Sequence, residues 1–323
     1  MGCSVNVDIV IVNFNTRQLL RECLESVARA HGEVEHAHTI VVDNASTDGS
    51  AAMVQSDFPW VELAPLSENL GFGAGNNRGV ARGHGEYILF LNSDAQLTPN
   101  ALSGMANHLE AHPDWVVIGP RLLYPDGSFQ PSCRRFPTVW RCLWSTAGMA
   151  TRFPRAFRTF RHWLDEEEHI DGRRVDMVSG ACFLMRRAYF EEIGGFDENL
   201  FLFEEEFDVF YPAVRRRLEV RYCADATVIH GAGKSVQANR MASFARFHLY
   251  RSKYYAFRKH YGPFSAWLSY GADLAVFGIT GSLRRLLGKT AEALLMFRVC
   301  RRAWSAARLS GAEVRALTPN LPD

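Results

Sequence analysis

Largely apolar runs that close on polar residues recur through the first two thirds of this chain. Residues 7–14 have the length and character of a buried strand. Thr16 then stands as a helix cap before Leu19, Leu20, Cys23, Leu24 and Val27, which fall at helical spacing. Residues 39–42 read as a second strand ending at Asp43, and 44–50 are dense in turn formers. The pattern next predicts a short helix at 51–58 and a short strand at 61–64. A helix starting in a glycine-rich stretch and closing at 80–83 follows, then strands at 88–91 and 115–119. A β-α-β order with polar strand ends predicts an α/β fold: a Rossmann-like, mostly parallel central sheet flanked by helices.

The pattern changes between 133 and 174. There Arg134, Arg135, Arg152, Arg155, Arg158 and Arg161 alternate with Trp140, Trp144, Phe153, Phe157, Phe160 and Trp163, before an acidic turn at 165–168. This reads as an inserted, partly helical surface segment rather than a domain. Strand-like sequence returns at 175–186, a helix and a strand lead to Val228-Ile229-His230, and beyond Gly233 the chain is mostly helical. The expected organisation is an α/β domain over 1–235, carrying the insert at 133–174, and a helical region over 236–323.

Composition narrows the class. With 323 residues, 47% hydrophobic and 22% charged, the chain fits a soluble globular protein with a sizeable core. A net charge of +1 argues against a general nucleic-acid partner, but the charge is unevenly placed. From Arg240 to Arg308 thirteen Lys and Arg face only Asp273 and Glu292, interleaved with aromatics such as Phe247, Tyr254, Trp267 and Trp304. That predicts peripheral contact with an anionic membrane. Residues 264–283 are the most apolar helix, yet Asp273 interrupts them, so the segment reads as partly buried or interfacial rather than spanning. Seven scattered cysteines without metal-like pairing suggest reduced thiols. Residues 1–6 show neither a signal core nor a myristoylation pattern. The expected location is cytoplasmic, peripheral on the inner face of the membrane.

Candidate chemistry gathers at strand ends: Asn13-Phe14-Asn15, the stretch from Asp43 to Gly49, Asn92-Ser93-Asp94, and the run Glu204-Glu205-Glu206-Phe207-Asp208 followed by His230. Carboxylates at the C-terminal ends of strands in an α/β sheet point to a ligand crevice. Taken alone, Asn92-Ser93-Asp94 serves equally well as an ordinary turn, and Asp43 as a turn-starting residue. Residues 69–79 bring glycines for close backbone approach and a helix N-terminus, both suited to a diphosphate.

In this order the motifs resemble those of family 2 glycosyltransferases with the GT-A fold, close to bacterial rhamnosyltransferase-like members, over about residues 5–260. The resemblance implies an inverting transferase that takes a sugar, such as rhamnose, from a nucleoside-diphosphate sugar to a glycan or polyprenyl-linked glycan acceptor in cell-surface polysaccharide synthesis. It implies nucleotide-sugar binding by Asn13, Asn15, Asp43, Asn69, Gly71, Asn77 and Asn92. It also implies a divalent cation, Mg²⁺ or Mn²⁺, held by Asp94 and His230. Aligning Gly194-Gly195-Phe196-Asp197-Glu198 with the family's motif puts Glu205 and Glu206 on its Glu-Asp pair, with Glu206 in the position of the catalytic base. A like-charged neighbour can raise a carboxylate's pKa toward the working range.

This chain departs from the family at Asn76 and Pro212, where relatives often carry Arg, at Asn92 for Asp, and at Arg217 for Gly. Pro212 is expected in or near a first helical turn, where it is tolerated. Two other classes stay open: a sugar-nucleotide nucleotidyltransferase, and a non-catalytic nucleotide-sugar-binding module.

Overall fold

The structure, a computed structural model, describes residues 3–153, 155–231, 242–286 and 291–317. In chain order the elements are β1 (Cys3–Asn13), α1 (Arg17–Ala30), β2 (Val34–Asp43), α2 (Ser50–Asp57), β3 (Glu62–Pro65), α3 (Phe72–Val80), β4 (Tyr87–Asn92), β5 (Ala95–Leu97), α4 (Ala101–Ala111), β6 (Trp115–Leu123), β7 (Phe129–Gln130), β8 (Cys133–Arg134), α5 (Val139–Thr146), α6 (Met149–Arg152), β9 (Met177–Val178), β10 (Cys182–Arg186), α7 (Arg187–Glu192), α8 (Glu205–Arg215), β11 (Glu219–His230), α9 (Ala242–Tyr261), α10 (Pro263–Leu286), α11 (Ala291–Ala306) and α12 (Gly311–Leu317). They divide into two compact units: 1–134 with 163–197 and 209–240, and 135–162 with 198–208 and 241–323. The domain boundary expected at 235/236 lies outside the described residues.

The first unit is built on one sheet of order β3-β2-β1-β4-β10-β6-β11-β5, with β7 added to β6. The expected parallel order holds for β3-β2-β1-β4 and for β6-β11, but the sheet as a whole is mixed. Four pairings are antiparallel, because β10 inserts between β4 and β6 in the opposite sense, β7 turns back on β6 as a hairpin arm, and β5 runs against the end of β11. An apolar run reports burial and not direction, which depends on how the connection returns. Ile9, Ile11, Leu89 and Leu91 of β1 and β4 face a core shared with Leu20, Leu24 and Val27 of α1, the helical stripe expected from their spacing.

Thr16 does sit at the N-cap of α1, but its side chain makes no cap hydrogen bond; its hydroxyl is engaged elsewhere, as described below. The glycine-rich stretch also has a packing role. A Cβ on Gly79 would lie 2.4 Å from Val10 Cγ1, and one on Gly75 3.0 Å from Val12 Cγ1. Two glycines therefore let α3 settle directly onto β1 and β2, and only Gly71, with φ of 89° ahead of the helix, uses the left-handed freedom of the residue. Pro212 lies inside α8 rather than in its first turn, removing one backbone donor from the helix. Arg217 has φ of 63°, and Leu218 N donates to Ala213 O at 2.9 Å, closing α8 with the left-handed turn that glycine adopts most readily.

In the second unit α9, α10 and α11 pack pairwise, with Phe247, Tyr254, Ala303, Ala306 and Val314 among the core residues. The buried guanidinium of Arg251 donates from Nη2 to Leu309 O at 2.7 Å, spending its donors on a helix end. Gly262, at φ of 88°, ends α9, and Pro263 opens α10 at a position where its missing N–H costs nothing. Asp273, the interruption in the apolar segment, is fully buried against Lys253 and accepts from Tyr254 Oη at 2.8 Å and Thr146 Oγ1 at 3.1 Å. Among the described residues no helix is long and apolar enough to cross a membrane.

Candidate active site

Parallel register aligns the strand ends. Asn13 pairs with Asp43 and Val12 with Asn92, so β1, β2 and β4 deliver their polar termini to one edge of the sheet. There a buried chain of side chains crosses three strands. Asn13 Nδ2 donates to Asp43 Oδ1 at 2.8 Å, Thr16 Oγ1 donates to Asn13 Oδ1 at 2.6 Å, and Ser93 Oγ lies 2.9 Å from Thr16 Oγ1. The threonine proton is committed to Asn13, so Ser93 is the donor to Thr16. Asp43 is thereby tied to the Asn92-Ser93-Asp94 corner through bonds that fix both.

Asp43 also accepts from Ser46 N at 3.0 Å, leaving each carboxylate oxygen with acceptor capacity to spare. Asn13 reaches Ser46 Oγ at 3.0 Å, and Asn15, at φ of 52°, holds Ser46 Oγ with its backbone N–H and accepts from Thr47 N at 2.8 Å. Asn69 and Gly71 join the same neighbourhood through Asn44, whose Nδ2 donates to Gly71 O at 2.9 Å while Leu70 N donates to its Oδ1 at 3.3 Å. Asn69 itself closes a turn by accepting from Gly71 N at 2.9 Å. Asn77 is placed differently: its amide bonds both backbone groups of Phe196, at 2.9 and 3.0 Å. It fastens the Gly194-Gly195-Phe196 turn to α3, which is a positioning role.

Asp94 and His230 meet because β5 pairs antiparallel with the end of β11, setting Ala95 opposite His230. His230 Nε2 stands 3.3 Å from Asp94 Oδ1, and its Nδ1 is 2.8 Å from Gln130 Oε1. Nδ1–H donates to Gln130, which turns Nε2 toward the carboxylate oxygen, so both side chains offer a ligand atom to the same space. Asp94 Oδ2 is buried and has no hydrogen-bond partner among the described residues. A carboxylate with one orphaned oxygen, beside an imidazole, fits Mn²⁺ or Mg²⁺ as two protein ligands that would leave positions for phosphate oxygens. Asn92, partly exposed, ends β4 immediately before this pair.

Three participants escaped the motif reading. Asn44 carried a signal, since it directly follows Asp43 in the polar cluster. Thr16 looked like a cap and is instead a link in the buried chain. Gln130 had no signal at all: it lies on a two-residue strand that β6 brings back by a hairpin.

The acidic run belongs to the second unit and begins with Phe203 and Glu204, both non-glycine residues in the left-handed region at φ of 70° and 68°. Such consecutive strain, about 1–2 kcal/mol per residue, occurs where surrounding structure imposes it and clusters at functional sites. Glu205 is buried with Oε1 unpartnered among the described residues, and burial, then the charges of Glu206, Glu204 and Asp208, push its pKa well above the ordinary carboxylate value. The shift expected for the base position thus falls on its neighbour. Glu206 is partly exposed in the first turn of α8. Asp208 accepts from Lys259 Nζ and His260 Nε2, each at 2.7 Å, pinning that turn to the end of α9.

The chain matches the description "Glycosyl transferase family 2" over residues 8–194. It is 28% identical over 251 residues to the N-acetylglucosaminyl-diphospho-decaprenol L-rhamnosyltransferase of Mycobacterium tuberculosis (strain CDC 1551 / Oshkosh), covering 74% of this chain and 80% of that one. It is 23% identical over 256 residues to the low-salt glycan biosynthesis hexosyltransferase Agl10 of Haloferax volcanii, covering 78% and 75%. Among solved structures, the mannosyltransferase PcManGT from Pyrobaculum calidifontis, in complex with GDP-Man and Mn²⁺, superposes with a TM-score of 0.55 at 17% identity, covering 98% of this chain and 80% of that one. GalNAc-T7 with UDP, GalNAc and Mn²⁺ gives 0.54 at 15% identity over 70% and 43%. The fold is therefore GT-A, as the motif order implied.

Proposed function

The chain belongs to glycosyl transferase family 2, and from that premise we propose that it transfers a sugar, with inversion, from a nucleoside-diphosphate donor to a hydroxyl of a lipid-linked glycan. The observation that carries this reading is the buried chain from Asp43 through Asn13 and Thr16 to Ser93, which couples a carboxylate suited to a nucleoside with the Asp94–His230 pair suited to its diphosphate.

In this reading Asp43 accepts from the ring N–H of uracil or thymine, or from a ribose hydroxyl, and Asn13, Asn15 and Ser46 keep it oriented. Asn44 holds the 69–71 turn against the nucleotide. Asp94 and His230 hold a divalent cation, which when bound supplies neutralisation of the leaving diphosphate. Glu206 takes the proton of the acceptor hydroxyl as that oxygen bonds to the anomeric carbon, and the bond from that carbon to the diphosphate oxygen breaks, releasing nucleoside diphosphate. Glu205, beside it in the first turn of α8, is buried, and that burial disfavours its charged form.

The likeness to a rhamnosyltransferase named for N-acetylglucosaminyl-diphospho-decaprenol supports rhamnose from dTDP-rhamnose as donor sugar and a polyprenyl-diphosphate-linked N-acetylglucosamine as acceptor. The product then belongs to cell-surface polysaccharide assembly on the cytoplasmic face of a membrane. Incubation of the protein with a panel of nucleotide sugars and short-chain polyprenyl-diphosphate acceptors tests this, by following free nucleoside diphosphate and the mass of the product lipid. Acceptor-dependent release from dTDP-rhamnose is the expected result. Pyrophosphate released from a nucleoside triphosphate would instead mark a nucleotidyltransferase, and donor binding without turnover a non-catalytic module.

A further inference from the structure

Between Phe264 and Ile279 the exposed side of α10 is apolar. Phe264, Trp267, Leu268, Ala275, Gly278 and Ile279 are exposed, and at 100° per residue they fall within one stripe. Phe264, Trp267 and Ile279 are 70%, 57% and 63% exposed, an unusual concentration of large apolar side chains on one face. Asp273, the only charge between Pro263 and Ser282, lies on the opposite side, where Lys253 neutralises it. The residue that made this segment look unfit for lipid is thus removed from the face altogether.

At the start of α10 a cavity of about 330 Å³ is lined by Phe264, Trp267, Trp304, Arg258 and Arg308 among others. Both arginines are exposed, and neither has an ion pair or hydrogen bond with a described residue. An aromatic rim with two unpaired guanidiniums at one end of an apolar stripe matches the layering of a bilayer surface, acyl chains beside phosphates.

We propose that the outer face of α10 lies in the plane of an anionic membrane, with Phe264, Trp267 and Ile279 in the acyl boundary and a lipid phosphate held by Arg258 and Arg308 at the cavity. This deepens the reading of a lipid-linked acceptor, resting on it only for the choice of membrane leaflet. Each arginine contributes about fivefold in partition to anionic vesicles, screened by salt, whereas the apolar stripe is insensitive to salt.

Flotation of the full chain with vesicles of phosphatidylcholine, with and without phosphatidylglycerol, tests the proposal without donor, acceptor or turnover, so its outcome is independent of the transferase reading. The intact chain is expected to float with the anionic vesicles. Phe264→Ser with Trp267→Ser should reduce binding tenfold or more at every salt concentration. Arg258→Ser with Arg308→Ser should reduce it about 25-fold at low salt and abolish the salt dependence. Trp60→Ser, a control at an exposed tryptophan elsewhere, should float as the intact chain does. Unchanged thermal unfolding of each variant without vesicles separates loss of binding from loss of fold, and Phe264→Leu with Trp267→Leu, which keeps the face apolar, should retain binding. Flotation of the Phe264/Trp267 serine variant equal to that of the intact chain would overturn the proposal. So would pyrophosphate binding that depends on Arg258 and Arg308 in a protein that ignores vesicles, since the cavity would then serve a soluble phosphate.

Discussion

His230 presents Nε2 to Asp94 Oδ1 at 3.3 Å while Gln130 occupies its other ring nitrogen at 2.8 Å. A residue on a two-residue strand thus decides how the imidazole is aimed, turning Nε2 toward the carboxylate.

The first expectation follows from that pair. Donor-nucleotide affinity, read by calorimetry, should fall on thorough chelation and return with Mn²⁺ or Mg²⁺, and Asp94→Ala should prevent the return. Gln130→Leu should weaken the metal-dependent increment by about 10–100-fold, as loss of a group orienting a ligand does. Equal nucleotide affinity with and without the ion would remove the metal from the reading.

The two adjacent glutamates should separate in kinetics. Glu206→Gln is expected to keep donor binding and lower kcat by about 10²–10⁴-fold. Glu205→Gln replaces a carboxyl whose charge burial already disfavours and should cost far less. If the ranking reverses in steady-state assays, Glu205 is the base and the motif alignment shifts by one residue.

Two buried groups should give stability opposite dependences on pH. Burial, followed by its acidic neighbours, raises the pKa of Glu205 above the ordinary 4.5, so its contribution is complete below that value and is lost as pH rises through the folded pKa. Burial, followed by the Arg251 cation, lowers His248 from 6.5 to about 3. Its contribution is present above 6.5 and is lost as pH falls toward about 3. Urea midpoints measured across pH should therefore decline in both directions. Glu205→Gln should flatten the decline with rising pH and His248→Phe the decline with falling pH, and a variant that leaves its limb unchanged assigns the dependence elsewhere.

Arg217 offers a stabilising substitution. Its φ of 63° costs a non-glycine residue about 1–2 kcal/mol, part of which glycine returns as unfolded-chain entropy. Arg217→Gly should raise stability by about 0.5–1 kcal/mol in denaturant unfolding, with activity unchanged. A loss of stability would mean that the arginine side chain carries contacts worth more than the backbone strain.

Strand positions, polar strand ends and the amphipathic stripe of α1 were legible along the chain because each depends on local sequence: apolar spacing, and turn formers where a strand stops. For the same reason the motif order identified the family and placed Asp43, Asp94 and His230 at strand ends. Only the tertiary structure decided what lies between those points. The sense of β10 depends on a long return path, and the spacing of its residues carries no record of it. Gln130 reaches His230 across 100 residues, and Thr16 joins Asn13 to Ser93 instead of capping its helix, because a hydroxyl takes whichever partner the packed strands bring near. Asp273 looks like a break in an apolar helix, yet in the folded chain it lies buried against Lys253 and leaves the outer face of α10 between Pro263 and Ser282 without a charge. Composition counts a charge wherever it occurs; only the fold decides which side of a helix it faces and whether another charge cancels it.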